Sequence, residues 1–466
     1  MKTTIKFFGA MILGAGLFVV GCSKKQPASS WSLDKSAASA QLKQFLATQE
    51  AQARALAKEE GKKLPSEFDA FYKAAEAGDW QDATDLFGQM RKRLDGDSSL
   101  RGSWWSATLD AAGVFWTFPP GDKYAIAFGN DIIKSIPDGS IYFGGADPGR
   151  FVVTALMESH ADGKPFFMLS QNPLADATYL HYLRAMYGGK IHTPTDEDWQ
   201  KSFQDYTTDA QRRLAHDRQF PNEPRQLKLG DEDVRQDTNG QIQLRSHMAV
   251  IGVRELLTKT IFDKNPDREF YIEESFPLDW MYPYLEPHGL IMKINRQQLP
   301  ELSDEIVQRD SDYWTNYLTP MIGGWLKPDT TIEEVAAFAE KIHVKMDLSG
   351  FAGDPQFVQN EYWCKKFSKL RSSIGGLYEW RAEHAAEAAE KKHMNDAADF
   401  AFRQAWVLCP YSPETVVRYV NLLGSQNRRA DALLVAEAAA KMPEMKGNDQ
   451  LRALVTELAN PNTKFK

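Results

Sequence analysis

SIYFGGADPGRFVVTALMESHADGKPFFMLSQNPLADATYLHYLRAMY, residues 140–187, holds the reading that decides the fold. Ser140 to Phe143 is a short apolar strand bounded by glycine, and Arg150 to His160 repeats its apolar residues at helical spacing. Pro165 to Ser170 (PFFMLS) is a second strand, and Ala175 to Tyr187 a second helix. Strand, helix, strand, helix at this spacing predicts βαβ units and a mostly parallel sheet, because parallel neighbours need a crossover of about a dozen residues or more.

The alternation continues downstream, after a polar stretch at 190–245 that reads as an exposed insertion. A helix is expected from His247 to Phe262, a strand at Glu269 to Glu274 (EFYIEE), a helix at Trp280 to Leu285 and a strand from Gly289 to Ile294. Residues 119–300 are therefore expected to form one α/β domain. Upstream, 39–118 is read as helical. Ala37 to Lys63 lacks proline and is rich in Ala, Gln, Glu and Leu. Phe68 to Leu94 has the pattern of a helical hairpin, with Phe68, Phe71, Tyr72 and Ala75 facing Ala83, Leu86, Phe87 and Met90 across a Gly78-Asp79 turn. The aromatics Trp104, Trp105, Trp116 and Phe118 are expected in the core; a sugar platform is the alternative.

Residues 301–354 read as a helical connection and 355–466 as helical repeats. Ala397 to Pro410 aligns with Asp431 to Pro443 at an offset of 34 residues, with Ala398 over Ala432, Phe400 over Leu434, Phe402 over Ala436 and Ala405 over Ala439. That period is the tetratricopeptide length. A pair of such units cannot bury its own faces, so it is expected to pack on the α/β domain and to offer a surface for a protein partner.

The N-terminus has the layout of an export signal: Lys2 and Lys6, then an apolar run from Phe7 to Val20, then Val19-Val20-Gly21-Cys22. The run is shorter than the ~20 residues that span ~30 Å of hydrocarbon. The last four residues match a lipobox, so 1–21 is expected to be removed and Cys22 to carry lipid that holds the chain to a membrane. Ser23 in place of aspartate favours the outer membrane. Residues 22–38, rich in Ser, Ala and Lys, read as a tether.

Loss of Lys2 and Lys6 takes the formal charge from −8 to −10, which argues against nucleic acid and against flat adhesion to anionic lipid. With Cys22 acylated, Cys364 and Cys409 remain. They could pair in an oxidising envelope, but their apolar surroundings make two buried thiols the simpler expectation.

Three segments, FGNDIIKSIPDGSIYFGGADPGRFVVTALM, PFFMLSQNPLADATYLHYLRAMYG and REFYIEESFPLDWMYPYLEPHGLIMKI, resemble the soluble C-terminal part of a bacterial membrane-protein family of unknown function related to protein O-mannosyltransferases. The resemblance spans residues 120–443 and rests on the order of strands, turns and aromatic positions. It implies an α/β part followed by short helical repeats. The family's membrane half would carry polyprenyl-sugar chemistry; it has no counterpart in this sequence, so glycosyl transfer is not carried over.

Ligands favour the carboxyl edge of a parallel sheet. The loop after the first strand holds Gly144, Gly145, Asp147 and Arg150; the loop after the second holds Asn172, Asp176 and Tyr179 beside Gln171; Glu274 ends a later strand. Glycines that admit a ligand to backbone, with converging amides, carboxylates and a ring, suit a glycan or another polar ligand. The same residue types also build turns and helix caps. Glu273 and Glu274 point to opposite faces of a strand and cannot flank one glycosidic bond. There is no HExxH, nucleophile elbow, Walker loop or dinucleotide fingerprint, and no metal or cofactor is expected. The expectation is a non-catalytic, lipid-anchored binding or assembly module, accessory to surface glycosylation; the alternative is an enzyme on glycans or glycoproteins using Asp147, Asp176 or Glu274.

Overall fold

In a computed structural model the described residues are 35–117, 122–145, 147–157, 162–236, 242–244, 247–273 and 277–460. The lipobox with Cys22, Phe118 and Glu274 lie outside them, as does the Pro119-Pro120-Gly121 boundary. The chain is mostly helical, 67%, around a small mixed sheet of five strands.

Four helices precede the sheet: α1 (Lys35–Glu59), α2 (Phe68–Ala77), α3 (Trp80–Gly96) and α4 (Trp104–Thr117). Gly78 at φ 77° lets α2 turn into α3, and the Asp79 side chain accepts from Asp82 N to cap the second helix. Phe68, Phe71, Tyr72 and Ala75 are buried, as are Ala83, Phe87 and Met90, so the hairpin faces are those of the sequence pattern. Trp104 is buried, and Trp105 stacks on Phe87 at 4.9 Å, which places both rings in the core.

The sheet region runs α5 (Lys123–Ser135), β1 (Ile141–Gly144), α6 (Asp147–Leu156), β2 (Phe167–Ser170), α7 (Ala177–Tyr187), α8 (Asp196–Gln219), β3 (Val234–Gln236), β4 (Ile242–Leu244), α9 (His247–Lys264), β5 (Phe270–Glu273), β6 (Leu285–His288) and β7 (Ile291–Ile294). Strand order in the main sheet is β2-β1-β5-β7-β6. β1 is parallel to β2 and to β5, in register Tyr142 with Met168 and Tyr271. The other half is antiparallel, and this corrects the expectation of a mostly parallel sheet. β5 pairs antiparallel with β7, and β7 with β6. The stretch between Glu273 and Leu285 is too short for a crossover helix, forms a 3-10 turn at Asp279–Tyr284, and Gly289 at φ 63° then folds β6 back on β7. The polar insertion is a second difference. It contains the 24-residue α8, closed at its start by a Thr195/Asp198 capping box, and the separate β3-β4 hairpin.

Then follow α10 (Asp304–Ile322), α11 (Ile332–Ala339) with a π-helical turn at Glu340–Val344, α12 (Pro355–Val358), α13 (Glu361–His384), α14 (Ala388–Leu408), α15 (Pro413–Ser425), α16 (Arg429–Ala440) and α17 (Asp449–Ala459). Helices α13 to α17 pack each on the next. Ala398, Ala405, Ala432, Ala436 and Ala439 are fully buried, so the small residues of the 34-residue offset are where α14 and α16 approach their neighbours. α13 also belongs to the rest of the molecule: Phe367 meets Phe128 of α5 at 6.0 Å, and α13 contacts β7. α11 lies against α14 and α16, where Arg403 donates to the backbone oxygens of Pro328 and Thr330.

Candidate functional site

In the order β2-β1-β5-β7-β6 the connection leaving β1 runs to β2 on one side and the chain leaving β5 runs to β6 and β7 on the other, so the β1–β5 boundary is a topological switch point. Gly145 stands at it. Its N–H donates to Glu273 O at 2.7 Å and faces Glu273 Oε2 at 3.3 Å. Glu273 is 2% exposed. A Cβ on Gly149, in the first turn of α6, would collide with Glu273 Oε2, and a Cβ on Gly144 would stand 2.8 Å from Met168 Cε and 2.9 Å from Gly149 O. The glycines are needed here, but what approaches them is the chain itself. The carboxylate of Glu273 sits beside the positive end of α6, where an anionic ligand would otherwise be favoured.

The other sequence-selected side chains are held in the same way. Asn172 Nδ2 donates to Gly145 O at 3.3 Å, and Asn172 Oδ1 accepts from Arg254 Nη1 at 2.5 Å. Arg150 turns away from the loop into a buried pair with Asp110 of α4, its Nε and Nη2 at 2.8 and 2.6 Å from Oδ1. Burial opposes that charge, but the Asp110 carboxylate outweighs it and holds the guanidinium above its ordinary pKa. Tyr182 donates to the second oxygen of Asp110 at 3.0 Å. The Tyr179 hydroxyl accepts from Ser170 N at 2.7 Å, and burial pushes its pKa up to about 12. Asp176 caps α7 by accepting from Thr178 N and Oγ1, both at 2.8 Å. Asp147 opens α6. The structure therefore gathers Gly144, Gly145 and Asn172 at the switch point, and sends Arg150 and Tyr179 into the layer beneath and Asp176 to a helix end. Gln171 Nε2, on a side chain 4% exposed, has no hydrogen-bond partner among the described residues.

Sequence reasoning passed over Glu273, Asp110 and Arg254. The last two carried a signal, since each is a lone charge in an otherwise apolar helical run (SATLDAAGV, AVIGVRELL), and a buried charge requires a partner. Glu273 was weighed only as half of a glycosidase pair with Glu274, which opposite strand faces exclude, and Glu274 was the residue kept as a candidate at the strand's end.

Among the described residues no three His, Cys, Asp or Glu are placed to hold a metal ion, and no helix is long and apolar enough to cross a membrane. Cys364 and Cys409 are buried free thiols. Comparison with protein-family models, with curated proteins and with solved structures returned no match to the chain.

Proposed function

We propose that the chain is an envelope lipoprotein, held by lipid on Cys22 to the outer membrane, and that its folded part is a non-catalytic binding or assembly module accessory to surface glycosylation. The observation that carries the second half is the closure of the sheet's carboxyl edge: Glu273, Asn172, Arg150 and Tyr179 are spent on the chain's own backbone and on Asp110 and Arg254. The first half rests on Val19 to Cys22 and the signal before it. Partner binding is assigned to the helices after 355, read as tetratricopeptide-like. Their second pair, α15 and α16, buries Val416, Tyr419, Val420 and Leu423 on one helix and Ala432, Ala436 and Ala439 on the other, at the spacing such units use. The resemblance to the soluble part of the O-mannosyltransferase-related family supports the glycosylation setting by analogy.

A glycan-acting enzyme is the second reading, and one observation favours it: a buried carboxylate, Glu273, stands at the switch point. The test has two arms. Mass spectrometry of protein purified from its own envelope should find a lipid-modified N-terminal Cys22, and Cys22→Ser should leave the membrane fraction; an unlipidated N-terminus in the wild type sinks the anchor. Turnover of envelope glycans by the pure protein, abolished in Glu273→Gln, would replace the module with the enzyme.

A further inference from the structure

At the opposite, amino edge of the sheet lies an open groove of about 880 Å³ between the loop joining α7 to α8 and the loop joining α9 to β5. That volume is within the range of small-molecule sites. The walls are tied together. Buried Asn265 accepts from His192 N at 2.7 Å and donates to His192 O at 3.0 Å. Arg268 donates to Lys190 O at 3.1 Å and to Gly139 O at 3.2 Å, with its guanidinium 5.4 Å from the centre of the Phe167 ring.

Charge here runs against that of the whole molecule. Arg184, Lys190, Lys264 and Arg268 line the groove with one carboxylate, Asp267. Asp196 pairs with Arg184 at 2.9 Å and Asp198 with Lys264 at 2.7 Å, while the whole chain carries a formal charge of −8. Two of the cations have another reason to be present, since Arg184 and Lys264 lie in the last turns of α7 and α9 and offset the negative helix ends. Lys190 and Arg268 belong to loops, and that reason does not cover them. Among the described residues Arg268 has only carbonyl oxygens and a ring as partners, no carboxylate. A planar guanidinium fixed by neutral acceptors beside an exposed ammonium suits a phosphoryl group, which takes the fork of one and the point charge of the other.

We propose that this groove binds a phosphoryl group, carried by a soluble sugar phosphate or by a lipid headgroup, with Arg268 and Lys190 as its ligands. The site is independent of the envelope assignment. Calorimetry at low salt would compare inorganic phosphate, glucose 6-phosphate and glucose, and co-sedimentation would compare vesicles of phosphatidylcholine with and without phosphatidylglycerol. The expected result is binding of the phosphate-bearing probes and not of glucose or neutral vesicles, weakened about tenfold or more by Lys190→Gln and by Arg268→Gln. Binding to anionic vesicles alone assigns the headgroup; binding to glucose 6-phosphate assigns the soluble ester. Because Arg268 also clamps two loops, its variant counts only if its melting temperature is retained, and Lys190→Gln decides otherwise. Equal binding of glucose, binding unchanged in Lys190→Gln, or no binding of any phosphate-bearing probe overturns the proposal.

Discussion

Arg371 of α13 and Asp310 of α10 close a 2.7 Å ion pair with side chains 1% and 2% exposed, and Tyr378 donates to the same carboxylate oxygen at 2.8 Å. Arg371 Nε continues the network to Gln404 of α14 at 2.8 Å. Removing one partner strands a charge in the interior. Arg371→Ala or Asp310→Ala is expected to cost ~3–5 kcal/mol, while replacing both by apolar residues of similar size costs less. Urea unfolding of the two single variants and the double variant checks this; additive losses would contradict it.

Gly149 and Glu273 are coupled by space. Gly149→Ala forces the buried carboxylate to move and should destabilise by ~1–3 kcal/mol. In a Glu273→Ala background the obstacle is gone, and alanine becomes the better helix residue by ~1 kcal/mol, so the sign of the effect reverses. A double-mutant cycle by thermal unfolding reads that reversal directly.

Glu379 gives a pH signature. Burial, and then the charge of Glu383, raise its pKa to about 7, with Arg418 acting the other way. A carboxyl whose folded pKa is raised contributes stability that is full below its unfolded value near 4.5 and is lost as pH rises through 7. Glu379→Gln is therefore expected to match the wild type at pH 4 and to exceed it at pH 8 by ~1–2 kcal/mol, after discounting for its partial exposure. Equal stabilities at pH 8 would show the group to be solvated.

His343, in the π-helical turn, behaves oppositely. Burial lowers its pKa to about 4, and its Nε2 has no partner among the described residues. The unfolded chain binds the proton first, so stability is full above pH 6.5 and falls as pH drops towards 4, by up to about 3 kcal/mol. His343→Phe should flatten that limb of the stability curve; an unchanged slope would place the acid sensitivity elsewhere.

Deleting 355–466 is expected to unfold the remainder, since it bares Phe128 and Trp314 and removes the partners of Asp310 and one partner of Asp122, which accepts from Trp363 Nε1 at 2.8 Å. Circular dichroism of the truncated chain should show lost helix and no cooperative melt. Tests of partner binding by the repeats therefore call for point substitutions on exposed faces.

The strands at Ile141, Phe167, Phe270 and Ile291 were legible because each is a short apolar run between turn residues. β6 was not: Leu285-Glu286-Pro287-His288 carries a proline and two polar residues, which an edge strand tolerates and a strand pattern does not announce. The direction of β7 was hidden for the same reason, since it depends on β6. α8 was missed because its sequence is polar nearly throughout and only Ser202, Tyr206, Thr207, Ala210 and Arg213 are buried. At the candidate site, Gly144, Gly145 and Asn172 were placed together by strand order alone. Arg150 was named with them, but its side chain pairs with Asp110, 40 residues upstream and beyond the reach of any local pattern.

The bonds from Lys123 to Asp354 and from Trp363 to Asp122 join residues 231 and 241 positions apart, and α1 is built into the same core as α14. Closing such distant contacts is a late step, because loop entropy must be overcome before they contribute. No nascent fragment ending before residue 400 can complete the core. The polypeptide thus cannot bury its full core until nearly all of it has been synthesised, a kinetic property that fits the export proposed for it.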